Sequence, residues 1–199
     1  MREILPGVFH WTALHPRIRI EVSSYYLADL RTLLDPLVPA EGLEAFSSGV
    51  DQIILTNRHH YRGSAAIVKR YGCAVRCVES GMHEFVKGEK VEPFRFGETL
   101  PGGIVAIEIG ELCPDETALF IPVAGGAVAI ADGVVRTGDG PLRFVTDEHL
   151  GDDPEGVKVG LKRAYRRLAT ERVFDHLLLA HGDPWIGGAR EALARFAEE

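Results

Sequence analysis

Three places in this chain set a metal-ligating or acid–base side chain directly behind a short apolar run. Ile53-Ile54-Leu55 leads into Thr56-Asn57-Arg58-His59-His60-Tyr61-Arg62-Gly63, Ala129-Ile130-Ala131 into Asp132-Gly133, and Leu177-Leu178-Leu179-Ala180 into His181-Gly182. Apolar runs of that length read as buried strands, and a residue at the tip of a buried strand is held in place over a core. His59, Asp132 and His181 then form a set of two imidazoles and a carboxylate that can hold one divalent ion, with positions left for water and substrate. Zinc suits that set, and iron or manganese accept the same nitrogen and oxygen donors. Cys113, Glu111 and His60 are candidates for a further ligand. Zinc would lower the pKa of its water for attack on an ester, thioester or amide, with Asp132 and His59 as the catalytic residues. Iron in the same triad would suit oxygen chemistry.

A plainer reading needs no metal, and it stands beside the first. His59 and His181 would be hydrogen-bonded loop residues, and Asp132 would cap a turn. Arg62 could pair with Asp132 and replace the ion's charge with a guanidinium. Asn57, Tyr61 and Arg62 would then line a pocket for a small anionic ligand, or the cleft would be only structural. Cys113, ahead of Pro114, could serve as a thiol nucleophile or fill space in a strand-end turn. Cys73 and Cys77 read as core. Gly102-Gly103, Gly125-Gly126 and Gly187-Gly188 make turns, and none belongs to a Gly-x-Gly-x-x-Gly run that would cradle phosphate.

The elements that must position these residues follow from periodicity. Val8 to Trp11, Ile18 to Leu27 and Thr32 to Leu34 read as strands, with a hairpin turn at Asp29-Leu30-Arg31. Pro39 to Phe46 has helical spacing. Gln52 to Leu55 is a strand, Tyr61 to Tyr71 a helix stopped by Gly72, and Ala74 to Val78 a strand, which predicts a parallel pair with a crossover. From Val91 to Arg136 strand follows strand, most clearly at 104–109, 118–121 and 127–131. Asp152-Asp153-Pro154 starts a helix that runs to about Ala169. Phe174 to Ala180 is a last buried strand and Ala189 to Ala197 a terminal helix. Each half supplies a sheet with helices.

Bulk properties narrow the classes. The 199 residues, 46% apolar and 26% charged, suit one domain spanning residues 1–199. A net charge of −7 disfavours nucleic acid and anionic lipid as partners. The basic cluster Lys158, Lys162, Arg163, Arg166 and Arg167 is interleaved with acids on a helical stretch and reads as its wet side. Three cysteines without a Cys-x-x-Cys pair indicate neither a disulfide framework nor a zinc ribbon. The start carries no signal-peptide pattern, and the longest uncharged stretch, Thr117 to Ala131, contains Pro122 and Gly125-Gly126. A cytoplasmic protein outside the membrane is the expectation. A small-molecule substrate or ligand and a homo-oligomeric state are both compatible with it.

Over nearly its whole length the chain resembles the metallo-β-lactamase superfamily. That family's first motif, Thr-His-x-His-x-Asp-His, follows a buried strand and leads into a helix. Thr56 to Arg62 occupies this frame, keeping the threonine as Thr56 and the second histidine as His59. Asn57, Tyr61 and Arg62 stand where the family has His, Asp and His. Asp132 is similar to the family's bridging aspartate, Ala180-His181-Gly182 to its Gly-His-Gly, and Asp35 to an aspartate that buttresses the motif loop. The turn Gly110 to Thr117 lacks the family's remaining histidine. The resemblance implies a four-layer αββα sandwich and a hydrolase-like protein of unassigned substrate. Its metal site would be mononuclear or vestigial, because three of the seven usual ligands survive and Arg62 puts a fixed cation at a cation site.

Overall fold

The computed structural model describes residues 1–199. Its first half contains the strands β1 (Arg2–Leu5), β2 (Val8–Leu14), β3 (Glu21–Leu27), β4 (Thr32–Leu34), β5 (Gln52–Ile54), β6 (Ala74–Val78) and β7 (Val91–Phe94). Helix α1 (Ser64–Tyr71) crosses from β5 to β6. The seven strands lie in one sheet in chain order; β1 to β4 meander antiparallel, and β4 to β7 run parallel. The second half adds β8 (Thr99–Leu100), β9 (Ile104–Glu108), β10 (Thr117–Ile121) and β11 (Ala127–Ile130). A two-stranded ribbon, β12 (Val134–Val135) with β13 (Arg143–Phe144), precedes α2 (Pro154–Glu171), β14 (His176–Leu179), β15 (Trp185–Ile186) and α3 (Ala189–Glu198). The second sheet has the order β15-β14-β11-β10-β9-β8, with β11 and β14 parallel.

The layering follows from the two-residue period of the strands. In β3, β4 and β5, Tyr25, Leu34 and Ile54 face a central core, where they meet Leu119, Ala129 and Leu178 of the second sheet. Their neighbours Tyr26, Leu33 and Ile53 point the other way and pack with Ile67 of α1. In the second sheet Val128, Ile130, Leu177 and Leu179 turn outward onto Leu161 and Tyr165 of α2 and Leu193 and Phe196 of α3. Both faces of both sheets are therefore apolar, which accounts for the nearly continuous apolar runs in the sequence. The result is a helix, sheet, sheet, helix sandwich.

Local chemistry sets the ends of the elements. Asp153 caps α2 by accepting a hydrogen bond from the Gly156 amide at 3.0 Å, with Pro154 in the first turn. Three predicted boundaries move. The helix expected from Pro39 to Phe46 shrinks to a 3-10 turn at Leu43–Ala45, because Gly42 has φ +79° and interrupts any helix through it. The strand expected from Ile18 begins at Glu21, since residues 15–20 close a turn through His15 and Ile20. The helix expected from Tyr61 starts at Ser64, because Arg62 sits at φ +40°. No helix is long and apolar enough to cross a membrane.

Candidate metal centre

The candidate residues come together because strands from both sheets end at one edge of the sandwich. Parallel strands β4 and β5 are paired Leu34 with Ile54, and β11 and β14 are paired Ile130 with Leu179. Asp35 thus leaves the first sheet beside the Thr56 loop, while Asp132 and His181 each stand two residues beyond neighbouring strands of the second. Two backbone links hold the sheet ends together: the Thr117 amide donates to the Thr56 carbonyl at 2.8 Å, and the Ser23 amide to the Ala180 carbonyl at 2.9 Å.

His60, Asp132 and His181 form the cluster. One ligand-capable atom from each lies within 4.8 Å of the others. Oδ1 of Asp132 is 2.9 Å from Nε2 of His60 and 2.9 Å from Nε2 of His181. Behind His60, Nδ1 lies 3.0 Å from Oδ2 of Asp35 and 3.0 Å from Oγ1 of Thr56. Asp35 is fixed in turn: the Thr56 amide donates to its Oδ1 at 2.8 Å and the Thr56 hydroxyl to its Oδ2 at 2.6 Å. Behind Asp132, Nδ2 of Asn57 donates to Oδ2 at 2.7 Å. His60 and Asp132 therefore each have an outer partner that fixes their orientation, the arrangement that holds metal-ligating side chains in place.

The charges explain one another. Burial and Arg62 both oppose protonation of His60, but Asp132 and Asp35 on either side of the ring outweigh them and push its pKa up to about 9. Burial would raise Asp132, yet His60 and His181 hold its carboxyl well below the usual range. Asp35 is lowered in the same way by His60, Arg62 and Thr56, against the effect of its burial. Two of the five non-glycine residues with positive φ, Asp35 and Arg62, lie here, and a packed site is where such backbone strain persists.

The structure corrects several expectations about individual residues. His59, expected as ligand and catalytic residue, is exposed on the wall of the cleft, and its neighbour His60 takes the inward position. Residues 58–61 form a 3-10 turn, so adjacent side chains point about 120° apart and both histidines cannot face one point. Asn57 selects the register by capping this turn, its Oδ1 accepting from the His59 amide at 2.9 Å. Arg62 forms no ion pair with Asp132; its guanidinium donates to the carbonyls of Ser23 at 2.9 Å and Asp35 at 2.8 Å. Glu111 pairs with Arg163 at 2.8 Å, outside the cluster. Cys113 is also outside it, beside Arg58 and Asp115, and burial pushes its thiol up to about 12, too high for a thiolate nucleophile at neutral pH. Tyr61 packs beside Phe85 at 5.9 Å between ring centres.

Glu116 went unnoticed in the sequence. It is 1% exposed, Oε2 accepts from the Leu112 amide at 3.0 Å, and Oε1 has no partner. Burial pushes it up to about 7, with Asp132 contributing in the same direction. The only available signal was an acid pair, Asp115-Glu116, running straight into an apolar strand.

The donor set is one that can hold a divalent metal: two imidazole nitrogens and a carboxylate oxygen, with His60 and Asp132 supported from behind.

No family model matches the chain, and no curated protein matches it. Solved structures do. A B3 metallo-β-lactamase with an active-site glutamic acid is similar over 98% of this chain and 85% of its own, with TM-score 0.63 and 16% identity. A metallo-β-lactamase from Erythrobacter litoralis, with β-mercaptoethanol in its active site, is similar over 99% of this chain and 95% of its own, with TM-score 0.66 and 14% identity. The rubredoxin oxygen:oxidoreductase of Desulfovibrio gigas matches 99% of this chain at TM-score 0.64 and 14% identity, and the chain spans 60% of that protein. At these identities the likeness is one of architecture, and it agrees with the layers and strand order described above: this chain has the metallo-β-lactamase fold.

Proposed function

We propose that the protein is a metal-dependent hydrolase with one divalent ion held by His60, Asp132 and His181. The observation that carries this reading is the meeting of Nε2 of His60 and Nε2 of His181 on Oδ1 of Asp132, at 2.9 Å each, with Asp35 behind His60 and Asn57 behind Asp132. With an ion bound, Asp35 and Thr56 behind Nδ1 would hold the His60 ring so that Nε2 ligates, while Asn57 turns Asp132 so that Oδ1 faces in. Similar structures include proteins named for a metal, the metallo-β-lactamases, and for an iron pair, the flavodiiron proteins. A divalent ion at these donors supplies a Lewis acid and a water acidic enough to act near neutral pH. Zinc, iron and manganese all accept this donor set.

A second, non-catalytic reading draws on the same geometry. His60 between Asp35 and Asp132 can itself balance their charge as an imidazolium, so the cleft can exist without an ion. In this reading His60, rather than Arg62, replaces the metal charge, and the cleft serves only for binding or structure.

Elemental analysis separates the two. Protein purified without chelators is expected to carry about one equivalent of a single metal, and His60→Ala and His181→Ala should lose it. Hydrolysis of chromogenic ester and thioester substrates should track metal content across a titration. Absence of stoichiometric metal from the wild-type protein, and failure to take up added zinc, iron or manganese, would overturn the hydrolase reading.

A further inference from the structure

We propose that the substrate of this centre is an amphiphilic anion: an ester, thioester or amide with an apolar group on one side of the bond to be broken and a negatively charged group on the other. The proposal rests on the hydrolase reading for the position of that bond. The reaction adds the hydroxyl of water to the acyl carbon and breaks the bond from acyl carbon to heteroatom, and the leaving heteroatom takes the proton.

The inference comes from two cavities that meet at the centre, the second the more apolar of the two. Ile18, Asp132 and His181 line both. A molecule reaching from one cavity into the other must therefore pass the cluster. The first cavity, of about 440 Å³, carries Arg17 and Lys87 at its rim. Both are exposed, and neither side-chain cation has a carboxylate oxygen within 4.0 Å, unlike Arg58, which Asp115 neutralises; the Lys87 amide donates to Glu89 at 2.7 Å. Glu84 and Glu89 share this cavity, but neither carboxylate pairs with the charged end of Arg17 or Lys87, which leaves both cations free to meet a ligand. Unpaired cations beside a cleft are how a protein recognises a carboxylate, sulfonate or phosphate.

The second cavity, of about 820 Å³, is lined by Ile18, Ile20, Leu112, Val135, Phe144 and Val145 along with several polar groups. Ile18 is 56% exposed and Ile20 42%, on the turn between β2 and β3. Large apolar side chains left wet beside a concave apolar wall gain free energy when a ligand covers them. The ribbon of β12 and β13 supplies Val135, Arg143 and Phe144 to the same wall, so this cavity is part of the fold. One occupant satisfies both cavities only if it is apolar at one end and anionic at the other, with its reactive bond between them.

A matched pair of dyes tests the two halves without relying on metal. 8-Anilinonaphthalene-1-sulfonate and N-phenyl-1-naphthylamine share their rings, and only the first carries a charge. The folded, metal-free protein is expected to bind the sulfonate saturably at one site, with affinity falling as salt rises. Arg17→Gln combined with Lys87→Gln should weaken the sulfonate about tenfold and leave the neutral dye unchanged. Ile18→Ser combined with Ile20→Ser should weaken both dyes. Sulfonate affinity unaffected by the Arg17 and Lys87 changes, neutral-dye affinity unaffected by the isoleucine changes, or no single-site binding would each overturn the proposal. The two readings fail separately. A protein that binds no metal but shows this dye pattern sinks hydrolysis and keeps the bipartite cleft, whereas a metalloprotein without the pattern sinks only the substrate class.

Discussion

Replacing Glu116 with glutamine gives a direct test of the electrostatics beneath the candidate centre. The Glu116 carboxyl is sealed from solvent with one oxygen unpartnered, and burial pushes it up to about 7 from an ordinary value of 4.5. The folded state therefore keeps a proton that the unfolded chain releases above pH 4.5. Stability is fully present below that pH and is lost as pH rises through 7. A displacement of this size corresponds to about 3 kcal/mol above pH 8, of which roughly 2.5 kcal/mol develops between pH 5 and pH 8. Glutamine has nearly the same shape and keeps an acceptor for the Leu112 amide, but it cannot ionise. Any penalty for its buried amide donor is the same at every pH. Urea unfolding of wild type and Glu116→Gln in parallel, in half-unit steps from pH 5 to pH 8, isolates the effect, because His60, Asp35 and the other ionisable groups cancel in the difference. The stability of the variant relative to wild type should climb by roughly 2.5 kcal/mol across the series, or about 5–10 °C in melting temperature for a chain of this size. A difference that stays flat with pH would refute the reasoning and mean that Glu116 is solvated or paired when folded.

Four further outcomes are expected. His59→Ala should leave metal content unchanged and stability within about 0.5 kcal/mol. His60→Ala strands the buried carboxylate of Asp35 and the half-buried one of Asp132 and should cost about 3 kcal/mol or more; equal melting temperatures and metal content for the two variants would remove the distinction drawn between them. Arg62→Met removes the guanidinium shared by the carbonyls of Ser23 and Asp35, for an expected loss of about 1–3 kcal/mol, and an unchanged denaturation midpoint would show those carbonyls to be otherwise satisfied. Gly182 follows His181 at φ +87°, where an added Cβ would lie 1.9 Å from the Arg136 carbonyl oxygen. Gly182→Ala should therefore lose at least about 3 kcal/mol or fail to fold, and a wild-type denaturation midpoint would contradict this backbone approach.

The architecture was legible because it depends on periodicity, which is a local property. Alternation along Tyr25-Tyr26-Leu27 and Ile53-Ile54-Leu55 encodes two buried faces, and the polar residues just past the apolar runs mark the sheet edge where Asp35, Asp132 and His181 meet. Turn geometry and packing decided the rest. The choice between His59 and His60 depends on the register of one 3-10 turn, set by the Asn57 cap and the positive φ of Arg62. A strand's two-residue period stops at its tip and says nothing about the direction of the next side chain. Arg62 found carbonyls instead of a carboxylate because the Ser23 backbone of β3 and the Asp35 backbone just past β4 approach it, and Glu116 was hidden because its burial arises only in the folded protein. The Arg62 contacts join residues 27 and 39 positions apart, so they exist only once the chain has folded.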